Sequence, residues 1–492
     1  MCQKRTALFC GKVTSPFSEA RYRALLEGLE ISDLKLSKLE NELTIGAEFY
    51  SKQFINVVSK IKNSNISFDT LNNITDLITD GDHGTTKYQD KGILYLLSES
   101  IKEGYIDLSV GTRYISEKLN DSLKRSELKK GDVVVTKTGV YFGKSAVIPN
   151  EIKVANTSAH VAKITPKKNI NSYYLSTFLN SSFGYSQLRR RGIKVSRPEI
   201  KLIEFKDILI SIPSNNFQHE IEKIILNGQK ILYNSKKVYR EAENLLLKKI
   251  GLENFTPSTE GINIKTFSNS FATTGRLDAE YYQPKYEDYE QLIKKDKYSY
   301  IKDEYIHINK KSKKEEDGYN YIEISDVNVG DGSSVSNYIK TEELPANAKI
   351  LIKKGDLLIS NVRPYRGAVT IVNSEFNNLI VSSAFTVLRR NVKSIYNVEV
   401  LKVLLRTDLY KDWLLKFNVG TSYPVIKDYD VLNIPIPYIN ENKQKEIAAL
   451  VEESFALKKQ SEHLLETAKR AVEIAIEKNE EAALLYIEKE TA

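Results

Sequence analysis

Residues 216–252 read NFQHEIEKIILNGQKILYNSKKVYREAENLLLKKIGL, and their spacing predicts one long helix. Ile224, Ile231, Val238 and Leu245 recur every seven residues, each followed by an apolar neighbour: Ile225, Leu232, Tyr239 and Leu246. A sustained seven-residue apolar repeat is the pattern of a helix that packs along its length on another helix. Ile221, Gly228, Ser235 and Ala242 form an adjoining row of mostly small residues, which admits a close partner backbone. Gly251 supplies a C-terminal stop.

Working outward, the chain on either side of this helix repeats itself. Lys129-Lys130-Gly131-Asp132 recurs as Lys353-Lys354-Gly355-Asp356, an offset of 353 − 129 = 224. Each box leads into a β-rich run, 133–136 and 357–360, and a glycine follows at the same offset, Gly143 and Gly367. Upstream, Gly92-x-x-Tyr95-Leu96 matches Gly318-x-x-Tyr321-Ile322, and Ala47-Glu48-Phe49-Tyr50 matches Ala279-Glu280-Tyr281-Tyr282. Downstream, Ile210-x-Ile212-Pro213 matches Ile434-x-Ile436-Pro437, and Glu220-Ile221 matches Glu446-Ile447. The same order at nearly constant offset marks a duplicated module.

Glu446-Ile447 opens a second helical stretch, 441–487, with small residues Ser454, Ser461, Ala468, Ala475 and Ala482 in one row and Leu450, Leu457, Leu464 and Ala471 beside it. Two such helices, separated by a globular module, are expected to pack antiparallel as a coiled coil. Gly28-Leu29-Glu30 resembles Gly251-Leu252-Glu253, so the chain is expected to begin with a helix tail and to be a circular pseudo-twofold arrangement. The fold class expected is α+β. Its parts are an N-terminal segment and helix tail (1–30), a first mixed module (31–215), the central helix (216–252), a second module (253–438) and a C-terminal helix (439–492). Each module mixes short strands with turns such as Asp80-Gly81 and Asp331-Gly332, and each carries one late helix, near 171–190 and 397–416.

At 492 residues there is ample chain for several buried cores. A net charge of +8 suits a polyanionic partner. No apolar run reaches the length of a membrane span, the N-terminus lacks the apolar core of a signal peptide, and Cys2 and Cys10 suggest no disulfide framework, so a cytoplasmic setting is expected.

Catalytic constellations are not evident. The five histidines, 83, 160, 219, 307 and 463, show no ligand spacing, and no Cys-x-x-Cys occurs, so no metal site is expected. Thr138–Ser145 looks like a phosphate loop but is one residue short between glycines, and 146–149 reads as a strand; the expectation is a β-hairpin. Pro198-Glu199 with Glu204-x-Lys206 has only a faint nuclease look, its acidic residues too close together. Asp80-Gly81-Asp82-His83-Gly84 is either a ligand turn or a tight turn.

The loops that concentrate positive charge and aromatic rings are the candidate DNA contacts: Lys87 and Tyr88; Lys137 and Lys144 of the first hairpin; Arg189, Arg190, Arg191, Lys194 and Arg197; Arg363, Tyr365 and Arg366 of the matching second hairpin; and Thr421, Ser422 and Tyr423. Arginine reads guanine edges bidentately or holds phosphates, and tyrosine stacks or contacts sugars. A basic loop taken alone is more often a solvated surface; recurrence at equivalent places in both modules favours DNA.

In this order the chain resembles the specificity (S) subunit of a type I restriction-modification enzyme. The resemblance rests on Ile78-Thr79-Asp80-Gly81-Asp82-His83-Gly84, the doubled Lys-Lys-Gly-Asp hairpin, Gly420-Thr421-Ser422, the Ile-x-Ile-Pro runs, the two Glu-Ile helix starts and Arg276-Leu277-Asp278-Ala279-Glu280-Tyr281-Tyr282. The first module departs at Gly46–Tyr50, which lacks the Arg-Leu-Asp lead. The resemblance implies two target recognition domains, each reading half of a bipartite double-stranded DNA site, spaced by the helices. It implies a non-catalytic chain without cofactors of its own. Methyltransferase subunits docking on the helices would bring S-adenosylmethionine, and restriction/translocase subunits would bring ATP and Mg2+. Alternatives from other classes are a stand-alone DNA-acting enzyme and a two-lobed scaffold.

Overall fold

The computed structural model describes residues 46–192, 198–419 and 423–491, with isolated positions between 18 and 39. Cys2, Cys10 and most of the expected N-terminal helix tail lie outside the described residues. The chain divides into two compact units, Met1–Leu232 with Lys459–Ala492, and Tyr233–Lys458.

The first unit is built on a four-stranded antiparallel sheet ordered Thr75–Asp80, Val161–Pro166, Val133–Thr136, Ser145–Val147. Its central strand, Val133–Thr136, is buried throughout, which is why that run is continuously apolar rather than alternating. Lys129-Lys130-Gly131-Asp132 is the turn into it: Gly131 has φ +84, and the Asp132 carboxylate accepts from the Lys129 N–H at 2.8 Å. A second sheet, Thr112–Ile115, Ile93–Leu96, Ala155–Thr157, contains one parallel pair. Ser67–Thr70 pairs with Leu209–Ile212.

The second unit repeats the plan. Its main sheet is ordered Tyr305–His307, Phe385–Arg390, Leu357–Ser360, Val369–Ile371. Register repeats as well: Val161 opposes Thr136 as Phe385 opposes Ser360, and Val133 opposes Val147 as Leu357 opposes Ile371, each shifted by 224. The Asp356 carboxylate accepts from the Lys353 N–H at 2.9 Å, as Asp132 does in the first unit.

The first long helix runs Asn215–Lys249. Gly251 takes φ +75 and the Leu252 N–H reaches the Leu247 carbonyl at 2.8 Å, the six-residue closure that glycine permits at a helix end. The row Ile221, Gly228, Ser235, Ala242 is buried, whereas Ile231, Val238 and Leu245 remain half-exposed, so the small row is the seam. Within the first unit the Ser461 hydroxyl donates to the Gly228 carbonyl at 2.7 Å. Within the second, Ser235 and Ser454 exchange bonds, each hydroxyl donating to the other's carbonyl at 2.8 and 2.9 Å.

Three sequence expectations need correction. Each late helix is two helices, Ser172–Asn180 with Ser182–Gly192 and Val398–Arg406 with Asp408–Leu415. Ser181 and Thr407 are extended, and their hydroxyls bond back to Phe178 and Leu404 at 2.7 Å, taking up carbonyls that a continuing helix would use. The C-terminal helix stops at Glu477; the Asn479 side chain then caps a separate helix, Glu480–Thr491, by accepting from the Ala482 N–H at 2.8 Å. That helix doubles back, its Glu490 reaching His463 at 3.2 Å, so Ala482 does not extend the seam.

Candidate nucleic-acid interface

In both units the same three segments converge where the main sheet ends. In the first, the Lys137 N–H donates to the His160 carbonyl at 2.9 Å, the Gly139 N–H to Pro198 at 3.0 Å, and the Ile200 N–H to Lys137 at 3.0 Å. In the second, the Asn361 N–H donates to Ala384 at 2.8 Å, Arg363 to Pro424 at 2.8 Å, and Ile426 to Asn361 at 2.9 Å. Backbone carries this platform, so the side chains on it are free to differ between units. The sequence carries a signal for it in Pro198-x-Ile200, which recurs as Pro424-x-Ile426.

The first platform holds a buried ion pair. Lys137 Nζ lies 2.5 Å from Asp80, both side chains nearly sealed from solvent, with exposed His83 at 3.1 Å and Arg125 at 3.6 Å on the other carboxylate oxygen. Burial raises the Asp80 pKa, but the hydrogen bonds and charges of Lys137 and His83 outweigh it, and the net shift is downward. Above the pair opens a cleft of about 390 Å³ lined by His83, Tyr88, His160 and Glu199 among others. The Thr138 hydroxyl meets His160 Nδ1 at 3.0 Å. The Asp82 side chain accepts from the Gly84 N–H at 2.9 Å and from the Thr86 hydroxyl at 3.0 Å, so the carboxylates of Asp80 and Asp82 are both engaged within the protein.

The second platform replaces this pair with an amide. Asn361 donates to Asp428 at 2.9 Å and accepts from the Thr386 hydroxyl at 2.7 Å, while His307 stands 3.5 Å from Asp428. Arg363 sits in the left-handed region at φ +49, a strained setting for a side-chain-bearing residue. Its guanidinium lies 4.3 Å from the centre of the Tyr423 ring, and Tyr365, Arg366 and Tyr423 are exposed beside it. Lys310, Lys311 and Lys313 are exposed just after Tyr305–His307, where the first unit places the turn bearing Lys87 and Tyr88, both exposed. Sequence reasoning passed over these lysines, although Lys311 stands at the 224-residue offset from Lys87.

Several candidate residues lie elsewhere. Arg190 and Arg191 are buried. Arg190 donates to the Phe49 carbonyl at 2.7 Å, and its guanidinium covers the Phe49 ring at 3.9 Å. Phe49 and Tyr50 pack edge-on at 4.9 Å, as do Tyr281 and Tyr282 at 5.0 Å. Lys416, 416 − 190 = 226 residues on, covers Tyr281 at 4.9 Å, joined by Arg276 at 4.6 Å. A cation on the leading aromatic ring is thus a shared structural device, and Arg190 and Arg191 are withdrawn as phosphate contacts, leaving Arg189 exposed. Lys137 is likewise withdrawn as a direct contact because Asp80 holds it inside. Lys144 is half-buried and lines a cavity with Glu462 and Glu466 of the second long helix, away from the platform. Lys194, Arg197, Thr421 and Ser422 lie outside the described residues.

Thr138–Ser145 is a hairpin, its arms paired antiparallel, and not a phosphate loop. Glu204 is buried and caps its own short helix by accepting from the Lys201 N–H at 3.1 Å. Among the described residues no cluster of three or more His, Cys, Asp or Glu is placed to hold a metal ion, and no helix is long and apolar enough to cross a membrane.

Against known proteins, no family model matches the chain. A stretch of 179 residues, 36% of the chain, is 26% identical to the type I restriction enzyme EcoBI specificity subunit of Escherichia coli. A stretch of 113 residues, 22% of the chain, is 31% identical to the HindI specificity subunit of Haemophilus influenzae. By sequence, the chain is similar to type I restriction enzyme specificity subunits. The matched stretches span 35% and 24% of those specificity subunits' own lengths. Among solved structures, the type I restriction-modification S subunit from M. genitalium aligns over 84% of this chain and 96% of that one, at 14% identity and a TM-score of 0.41. The HsdS subunit from Thermoanaerobacter tengcongensis aligns over 84% and 97%, at 15% identity and a TM-score of 0.29.

Proposed function

We propose that this chain is the DNA-recognition subunit of a type I restriction-modification complex, reading a bipartite double-stranded site with its two modules, 31–215 and 253–438. The observation that carries the reading is the doubled platform: one backbone frame, built twice, bearing different polar side chains. That is what two readers of two unlike half-sites require, since base edges are told apart by the donors and acceptors offered to them. Similarity to specificity subunits supports it. On this reading Tyr88, His83 and His160 face DNA in the first module, and Arg363, Arg366, Tyr365 and Tyr423 in the second, with Arg189, Lys87 and Lys310–Lys313 holding phosphates.

The two long helices act as an antiparallel spacer in a circular pseudo-twofold chain. Support comes from the seam contacts, which step in opposite directions: Gly228 with Ser461, then Ser235 with Ser454. Methyltransferase subunits dock on these helices and bring S-adenosylmethionine; restriction subunits supply ATP- and Mg2+-dependent steps, all in the cytoplasm. The chain itself performs no chemistry. Selection of duplexes from a random-sequence library by the full-length chain tests this. Two short fixed sequences at one separation are expected, with binding that weakens steeply as salt rises; enrichment of a single continuous motif, or none, contradicts it.

A further inference from the structure

In the first unit a turn reaches both long helices; in the second a turn reaches the second helix directly and the first through Arg406. In the first it is the hairpin Ile101–Ile106. Gly104, at φ +83, offers its carbonyl to Gln229 Nε2 of the first helix at 2.6 Å, and Glu103 pairs with Lys469 of the second at 3.1 Å. A Cβ on Gly104 would lie 3.3 Å from Leu465, so the tip is seated closely against the second helix. In the second unit it is the turn 327–334. Asp331 pairs with Lys458 of the second helix at 2.5 Å, and the Ser333 hydroxyl accepts from the same ammonium at 2.9 Å. Arg406 donates to the Val329 carbonyl at 3.0 Å and to Tyr239 of the first helix at 3.0 Å, bracing the turn on that side. Gly332, at φ +71, packs so closely that a Cβ would fall 2.7 Å from the Val369 carbonyl.

The two turns follow corresponding short helical turns, Ser98–Ser100 and Ile324–Asp326, 226 residues apart, yet share no side chain at the contact. What is repeated is the engagement. Each module's core already packs on the long helices, with Ile221 and Ala468 in the first cluster and Ala242 and Ile447 in the second. The turn adds a further attachment and stiffens the module against rotation about the helices. Burial raises the Asp331 pKa, but the charge and hydrogen bond of Lys458, with the hydrogen bonds of Ser333, outweigh it and the net shift is downward, so the attachment is a charge pair and not merely a packed loop.

We propose that these two turns are clips that fix the rotational setting of each module on the helices, and thereby the number of base pairs between half-sites. Glu103, Lys469, Asp331 and Lys458 are positioning residues: they touch no DNA and set spacing, not sequence. The inference rests on the DNA-reading function proposed above. Its test is library selection with full-length Asp331→Lys, Lys458→Glu and the exchanged pair together, alongside Glu103→Lys, Lys469→Glu and their exchange. Each single reversal is expected to retain both half-site sequences while passing from one spacer length to two or more adjacent lengths, and each exchange to restore the single length. Should a reversal not fold, Asp331→Ala with Ser333→Ala removes the same acceptors without placing like charges together. An unchanged single spacer in folded reversals overturns the clip, as does an altered half-site sequence or complete loss of selection. Failure of the unaltered chain to select any bipartite duplex instead overturns the DNA-reading function itself.

Discussion

Lys137 and Asp80 form a buried charge pair beneath the first platform, 57 residues apart in the chain and 2.5 Å apart in space. A charge pair taken out of water is costly to leave half-made. Lys137→Met is therefore expected to destabilise the first unit by about 3–5 kcal/mol at neutral pH by stranding the carboxylate. The folded Asp80 pKa is lowered, so its contribution in the unaltered chain is present above the unfolded value, about 3.9, and is lost as pH falls toward the folded one. In Lys137→Met the stranded carboxylate is relieved by protonation. The stability gap between the two proteins is thus expected to be widest near pH 7 and to narrow below about pH 4, measured by urea denaturation at both values. A gap that widens on acidification would contradict the assignment.

Neighbouring arginines separate by role. Arg190→Ala removes a charged hydrogen bond and a stacked guanidinium, and is expected to cost about 2–4 kcal/mol of the first unit's unfolding free energy, measured by urea denaturation. Arg189→Ala, on the exposed face, is expected to shift stability by no more than about 0.5 kcal/mol. It should instead flatten the salt dependence of DNA binding by about one phosphate contact, read from the slope of log affinity against log salt.

Arg363 sits at φ +49, where glycine is at ease and arginine is not. Arg363→Gly is expected to melt no lower than the unaltered chain, while losing about 1–3 kcal/mol of discrimination at one base pair of the second half-site. Competition with duplexes altered singly at each position reads this directly. A uniform loss at all positions would place Arg363 on a phosphate.

The first long helix has 35 residues and is therefore on the order of 50 Å long, enough to bridge one turn of DNA, roughly 34–36 Å. Inserting four residues after Lys236 and four after Glu453, which faces it across the Ser235–Ser454 contact, adds about 6 Å with little net rotation of the helix face. The half-site sequences are expected to persist and the unread spacer to lengthen by one or two base pairs, as read by library selection.

The sequence made the duplication legible because its markers are local. Lys129–Asp132 and Lys353–Asp356 are turns whose glycine and carboxylate are dictated by backbone geometry, and the seven-residue rows of 221–246 are dictated by helix period. What stayed hidden depends on contacts between distant segments. Nothing in Arg189-Arg190-Arg191 says which guanidinium turns inward; that is decided by Phe49, 141 residues away. The helix breaks at Ser181 and Thr407 carry neither glycine nor proline, only a hydroxyl bonding backward, a choice that residue type alone leaves open. The platform was legible in principle through Pro198-x-Ile200 and Pro424-x-Ile426, but its backbone bonds leave side-chain identity almost unconstrained.

Replacing residues 31–215 with the corresponding module of a relative of different specificity, and sequencing the methylated sites of cells carrying the hybrid with its methyltransferase subunits, tests the two-reader account most directly. One half of the methylated sequence should change to that of the donor, while the other half and the spacer stay as they were. Simultaneous change of both halves, in a hybrid that assembles and methylates, would contradict it.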